Sequence, residues 1–151
     1  MNMAILRNLA TPAITAIKGL DFLSPVVDLA ARLWLANVFW KSGLTKIASW
    51  QSTQMLFNFE YHVPLLPPNV AAVLATSVEL GGSVLLALGL ASRFGTATLL
   101  ILNVTAVISY PDLSEGGLRD HIFWGILLTL FFFHGPGKLS FDHWLRRKLM
   151  S

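Results

Sequence analysis

Four apolar segments divide this chain, and their lengths limit what it can fold into. They cover approximately residues 24–45, 70–90, 94–110 and 118–134. A helix needs about 20 predominantly apolar residues to cross the hydrocarbon core of a bilayer. The fourth segment is short for a span and requires little tilt or a thinned bilayer. The sequence therefore predicts an all-α fold, namely a polytopic membrane four-helix bundle.

The composition supports a bilayer as the solvent. Hydrophobic residues make up 54% of the 151 residues, charged residues make up 13%, and mean hydropathy is +0.62, well away from soluble domains. The formal charge is +3, but in a membrane protein the placement of charges matters more than their sum, and we expect no nucleic-acid partner. Cysteine is absent, which excludes a disulfide, a thiol nucleophile, an iron–sulfur cluster and a thiolate zinc site.

Three segments outside the spans are predicted to lie at the membrane surface. An apolar stripe at helical spacing favours an interfacial helix over residues 1–23, although a loosely ordered tail fits as well. The stripe consists of Ile5, Leu9, Ala13, Ile17 and Leu20. Residues 47–61 of the first outer loop mix aromatic and polar side chains, and residues 138–151 are basic and amphipathic. Both patterns are typical of the headgroup region.

The predicted domain organisation is an amphipathic segment over 1–23, a four-helix domain over 24–137 and a basic tail over 138–151. The first boundary rests on Ser24-Pro25, because serine can cap a helix and proline favours its first turn. A cleaved signal peptide explains the start poorly, since Thr11, Pro12 and Lys18 interrupt any apolar core.

The distribution of lysine and arginine predicts the orientation. With the N-terminus inside, seven basic residues face the cytoplasm and three face outward. The inner set is Arg7, Lys18, Arg93, Lys138, Arg146, Arg147 and Lys148, and the outer set is Lys41, Lys46 and Arg119. We therefore expect both termini in the cytoplasm.

Polar residues inside the apolar segments form the first candidate site. Glu79 lies near the middle of the second segment, where an ionised carboxylate without a partner is costly. Depth along the helices makes Arg32 its predicted partner, with Lys41 second, and Asn103 could donate to the same carboxylate. The predicted intramembrane cluster is Arg32, Asn37, Lys41, Glu79 and Asn103. It either fastens the helices together or forms a proton-coupled or ligand-binding pocket.

A second candidate site lies on the predicted outer side. Its members are Glu60, His62, Asp112, Asp120 and His121. They could form a surface site for a metal or substrate, although solvated loop residues describe them as well, and we assign no metal ligands. No nucleotide-binding loop and no hydrolytic arrangement of serine, histidine and aspartate is present, so hydrolytic functions rank low.

A series of motifs runs in a fixed order from about Val26 to Asp142. The first segment contributes Arg32, Phe39, Gly43 and Lys46. Glu79-Leu80-Gly81-Gly82, Leu88-Gly89-Leu90 with Arg93, and the closing Gly135-Pro136-Gly137-Lys138-Leu139-Ser140-Phe141-Asp142 follow. In this order and spacing the motifs resemble the DoxX family of small four-helix membrane proteins.

The resemblance implies an inner-membrane protein associated with redox complexes. The family takes its name from a subunit of a terminal quinol oxidase, and similar proteins occur in thiosulfate:quinone oxidoreductases. Some members associate with redox-stress enzymes, and others accompany modified-peptide systems linked to metal handling. By family position the residues carried over are Arg32, Lys46, Glu79 and Arg93. The absence of cysteine departs from members expected to handle sulfur directly.

Two functions follow as hypotheses. The first is an accessory or quinone-interacting subunit of a membrane redox complex, with a quinone as its candidate cofactor and no covalent group. The chain would not then act as an enzyme alone, because it supplies no redox centre. The second is a non-enzymatic scaffold or a small transporter for a metal or metabolite, although no inverted repeat favours transport. We expect lipid and other membrane or redox-complex proteins as partners, and a bundle this small could form homo-oligomers.

Overall fold

Helices are the only regular secondary structure in the part of the chain that is described. A computed structural model describes the backbone of residues 3–150 and the side chains of residues 17–150. The helices are α1 (Met3–Ala48), α2 (Trp50–Phe59), α3 (Pro68–Leu88), α4 (Ser92–Ser109), α5 (Glu115–His134) and α6 (Phe141–Leu149). The all-α prediction is confirmed, and the ends of α3, α4 and α5 lie within three residues of the predicted ones.

Three helices are long and apolar enough to cross a membrane. They are the Ile17–Ala48 part of α1, with a mean hydropathy of 1.3, α3 with 1.8, and α4 with 1.3. Helix α5 has 20 residues, but its first two turns carry Glu115, Arg119 and Asp120, which lower its hydropathy. The chain is therefore an integral membrane protein with three clear candidate spans where four were predicted.

The predicted start of the first spanning helix at residue 24 was wrong. Helix α1 is continuous from Met3 to Ala48, so Ser24-Pro25 lies inside it. Proline lacks an N–H and deprives the carbonyl of Asp21 of its usual partner, but one lost hydrogen bond did not end so long a helix. The stripe residues Ile5, Leu9 and Ala13 have side chains outside the described residues, whereas Ile17 and Leu20 are exposed.

The helices pack in the spatial order α1, α3, α4 and α5, and α2 covers one end of α3. Helices α3 and α4 form the hairpin that their short connection predicts. Gly89 makes this turn with φ +65°, a left-handed conformation that favours glycine. We call the end of the bundle with this turn the α6 end, because Asp142 of α6 donates its backbone N–H to the carbonyl of Gly89 at 2.9 Å. The opposite end is the α2 end.

The core between the helices is made of buried aliphatic and aromatic side chains. Leu35 and Phe39 of α1, Leu86 of α3, Leu99 of α4, and Leu128 and Phe131 of α5 form one cluster. Phe57 of α2 packs with Ala71, Ala72 and Ala75 of α3 in a second cluster. Small residues bring the backbones close, as expected where lipid supplies little hydrophobic drive. A Cβ on Gly82 would lie 2.8 Å from Leu99 Cγ.

Candidate functional site

A lysine–glutamate pair lies between α1 and α3. Lys46 Nζ is 2.7 Å from Glu79 Oε1 and 2.9 Å from Oε2, and it also donates to Ser42 Oγ at 3.0 Å. Ser42 Oγ in turn donates to Glu79 Oε1 at 2.9 Å. The side chains of Lys46 and Glu79 are only 15% and 9% exposed. All three ammonium hydrogens therefore have an acceptor, and both charges are compensated inside the protein.

Helix geometry explains why these three side chains meet. Ser42 and Lys46 are four residues apart on α1 and therefore share a face. Gly43 lies between them, and a Cβ there would be 2.7 Å from Leu80 Cδ2 and 3.2 Å from Glu79 Cβ. The missing side chain allows α1 and α3 to approach, so that the short serine reaches the carboxylate on the facing helix.

The predicted pairing of Arg32 with Glu79 was wrong. Arg32 is buried at the α6 end, where it donates through Nη1 to the carbonyl of Pro136 and through Nη2 to that of Leu139 at 2.7 Å. The error lies in the depth count, which began α1 at residue 24. In the structure Gly43 is level with Glu79 and Arg32 with Gly89, so Arg32 lies eleven residues, or roughly 16 Å, from the level of Glu79.

The remaining members of the predicted intramembrane cluster also lie apart. Asn37 and Lys41 are exposed on another face of α1, and Asn37 lines a shallow surface depression with Trp40 and Ser83. Asn103 is buried and bonds to His121, through Nδ2 to the backbone carbonyl at 2.9 Å and through Oδ1 to Nδ1 at 2.7 Å. Of the five predicted residues, only Glu79 belongs to the ion pair, and Asn103 instead connects α4 to α5.

The predicted outer-side residues do not form a single site. Glu60 accepts a hydrogen bond from Tyr110 Oη at 3.0 Å, and the backbone N–H of His62 donates to the carbonyl of Ser109 at 2.8 Å. His121 is engaged by Asn103, while Asp112 and Asp120 are exposed. Within the described part of the chain, no three histidine, cysteine, aspartate or glutamate side chains converge in a way that could hold a metal ion.

A cavity of about 190 Å³ lies beside the ion pair. It runs between α3 and α4, and α2 and the segment after it close it at the α2 end. Most of its wall is apolar, contributed by Phe57, Val63, Leu66, Ala71, Leu74, Ala75, Val78, Ile101, Leu102 and Ala106. Lys46 and Glu79 contribute charge on one side, and Tyr61, Thr98, Thr105 and Ser109 contribute hydroxyl groups. The arrangement suits a small, largely apolar molecule with polar atoms at its edge.

Two hydroxyl groups near the α2 end are available to such a molecule. Ser109 is 0% exposed, and its Oγ has no hydrogen-bond partner among the described residues. Tyr61 stacks on Phe57 with ring centroids 4.9 Å apart. Burial raises the pKa of the Tyr61 hydroxyl, and nearby acidic groups raise it further, so it stays protonated and able to donate at neutral pH. A buried polar group without a partner is costly, and a bound acceptor would remove that cost at Ser109.

Reasoning from residue patterns missed Ser42, Tyr61 and Ser109, and it counted Lys46 only as an outer-side charge. The spacing of Ser42 and Lys46 was a usable signal, because it places both on one face once the helix is extended to Ala48. Ser109 carried no such signal, since its burial depends on how α4 packs. The family resemblance did carry over both Lys46 and Glu79, although it did not predict that they pair.

Comparison with known proteins supports the family resemblance. The family model described as DoxX matches residues 27–111, which is more than half of the chain and includes α2, α3, α4 and the described ion pair. No curated protein and no solved structure matches the chain. The match covers Arg32, Lys46, Glu79 and Arg93, the four residues that the motifs assigned by family position. The chain belongs to the DoxX family.

Proposed function

We propose that this protein is a quinone-interacting subunit of a redox complex in the cell inner membrane, and that the cavity beside Lys46 and Glu79 holds the quinone head group. The proposal includes a four-span topology with both termini in the cytoplasm. The observation that carries it is a buried, unpartnered serine hydroxyl in an apolar cavity that also contains an ion pair.

The position of α6 supports α5 as the fourth span. Helix α4 runs from the α6 end to the α2 end, yet the Asp142 carboxylate accepts hydrogen bonds from Ala91 N at 2.8 Å and Ser92 N at 2.9 Å, back at the α6 end. The chain therefore returns along the full length of α4 within α5. Buried Leu128 and Phe131 hold α5 in the bundle, and its charged first turns lie at the α2 end, where a membrane surface would be.

The size of the cavity suits a single ring. A dry apolar cavity of about 150 Å³ in another protein accommodates benzene, so about 190 Å³ leaves room for a substituted ring. Leu74 and Ile101 of the cavity wall are exposed on the bundle surface, which faces lipid. An isoprenoid tail could leave between α3 and α4 at that point and remain in the bilayer.

The polar groups of the cavity match the edge of such a ring. A quinone carries two electrons and two protons between redox proteins, and its oxygens accept hydrogen bonds. Ser109 and Tyr61 would donate to one oxygen, and the Lys46–Glu79 pair would lie at the other edge of the ring. The electrons would come from a partner protein.

Quinone content tests the proposal. The protein would be purified in mild detergent, extracted with organic solvent, and assayed for quinone by absorbance and mass spectrometry. We expect close to one quinone per chain, and a loss of at least about tenfold in Glu79→Gln, because the variant leaves Lys46 without its counter-charge. Quinone at the level of the bulk lipid extract in both proteins would contradict the proposal.

A scaffold function is the second candidate, favoured by exposed apolar residues around the α2 end. Met55 and Phe59 of α2 are exposed, and Leu65 of the following loop is fully exposed with φ +66°. Such a surface could dock a membrane partner. Affinity purification of Glu79→Gln distinguishes the two functions, because a scaffold would retain its partner in that variant with no quinone present.

A further inference from the structure

A second cavity, which is polar and separate from the one beside the ion pair, lies at the α6 end. It has a volume of about 270 Å³ and opens between α1, the first turn of α4, the end of α5 and α6. Three cationic side chains line it, namely Arg93, Lys138 and Arg146, together with His134 and His143. Two carboxylates, Asp28 and Asp142, line it as well.

Both carboxylates are already engaged. Asp142 caps α4 by accepting from the backbone of Ala91 and Ser92, so the positive end of the α4 dipole is satisfied. Asp28 Oδ2 lies 3.8 Å from His134 Nε2, and Gly137 packs directly against its carboxyl group. Neither carboxylate is therefore placed to neutralise all three cations.

The cations, by contrast, have no partner within the described residues. The side chains of Arg93, Lys138 and Arg146 form no hydrogen bond or ion pair there. They come from α4, from the α5–α6 connection and from α6, three segments that the Asp142 cap holds together. Three cations from separate segments that converge on one cavity create a local positive potential suited to a phosphate.

The surroundings of the cavity are apolar. Helix α6 exposes Phe141, Trp144, Leu145 and Leu149 along its length, and Lys148 Nζ lies 5.3 Å from the centroid of the Trp144 ring. Exposed tryptophan and leucine beside clustered arginine are typical of a helix in the headgroup region. A ligand that combines an anionic head with apolar chains therefore fits this place better than a soluble anion.

We propose that this cavity binds the phosphate group of an anionic phospholipid, with Arg93, Lys138 and Arg146 as its cationic ligands. The bound lipid would stabilise the contact of α6 with the α3–α4 turn, since its phosphate would link α4 to α6. This inference requires only a membrane location and does not rest on the quinone proposal.

Native mass spectrometry of the full chain tests the site. The protein would be released from nanodiscs of phosphatidylglycerol or phosphatidylcholine, and retained lipid would be counted. We expect one retained phosphatidylglycerol, with retention lower by about fivefold in Arg93→Gln and in Arg146→Gln, the loss expected for one lipid-facing cation. Arg147→Gln is the matched control, because Arg147 is the next residue of α6, carries the same charge and does not line the cavity.

Three outcomes would overturn the proposal. Equal losses in Arg146→Gln and Arg147→Gln would mean that the tail acts through its overall charge. Retention of phosphatidylcholine equal to that of phosphatidylglycerol would show that the cavity does not select a lipid whose head group has a net negative charge. Displacement of the lipid by inorganic phosphate would reassign the cavity to a soluble anion. Lys138→Gln provides an independent variant should either arginine variant fail to fold, as judged by its elution volume in detergent.

Discussion

At the scale of single residues, stability depends on the Lys46–Glu79 pair, because substitution of either residue alone leaves a buried charge without its partner. Each charge is compensated by the other and by Ser42. Removing one partner of a buried pair leaves the other uncompensated, whereas replacing both with neutral groups is often tolerated. Neither residue can therefore be replaced alone without a loss of stability, and this holds whatever the cavity binds.

A double-mutant cycle tests this coupling. We expect Glu79→Gln to lower the free energy of unfolding by roughly 3 kcal/mol, because the Lys46 ammonium loses its counter-charge. Lys46→Met combined with Glu79→Gln should recover at least half of that loss, since no buried charge remains. Unfolding by SDS in mixed micelles, followed by circular dichroism, measures both. Additive losses in the double variant would show that the two side chains are not coupled.

Residue-level chemistry was only partly predictable from the sequence. A carboxylate in mid-membrane needs a partner, and that rule correctly singled out Glu79. The identity of the partner depends on which residue of α1 is level with Glu79, and the contact of Gly43 with Leu80 sets that register. This contact is long-range, so counting residues from an assumed helix start gave Arg32 in place of Lys46.

At the scale of elements, close contact between α1 and α3 positions the pair. Gly43→Ala should destabilise the protein by about 1–3 kcal/mol, because its Cβ would overlap Leu80. Gly81→Ala is the matched control on α3: a Cβ there has nothing within 4 Å, and alanine favours a helix over glycine. The same SDS unfolding measures both variants. Equal stability of the two would contradict the proposed role of the close approach.

The helix ends differ in how well local sequence defines them. Pro67-Pro68 and Gly89 bound α3, so its prediction was accurate to two residues. Ser24-Pro25 carries a comparable local signal, yet α1 continues through it. A local sequence signal allows a helix to end at a given residue. Whether the helix does end there depends on interactions outside that short segment.

At the scale of the whole molecule, the two ends of the bundle have different chemistry. The α2 end holds the cavity with its ion pair and hydroxyl groups, and the α6 end holds Arg32 and the basic cavity. The hydrophobic pattern was sufficient to predict an all-helical membrane protein. It could not predict this division, because the closing loop reaches Arg32 across 104 residues of sequence.

The proposed topology can be tested with introduced cysteines, because the chain has none of its own. With four spans and both termini in the cytoplasm, Gln51→Cys and Ser114→Cys should react with an impermeant maleimide in intact cells. Arg147→Cys should react only after the membrane is permeabilised. Labelling of Arg147→Cys in intact cells together with Ser114→Cys would mean that α5 does not cross the membrane.

The most direct test of the central claim compares two buried serines whose side-chain hydroxyls both lack a hydrogen-bond partner within the described residues. Ser109 lines the cavity beside the ion pair, and Ser92 does not. Titration of the purified protein with a short-chain quinone, followed by quenching of tryptophan fluorescence, should give at least about fivefold weaker binding in Ser109→Ala. Ser92→Ala should bind as the unmodified chain does. Equal binding by all three proteins, or equal weakening in both variants, would contradict a quinone site in this cavity.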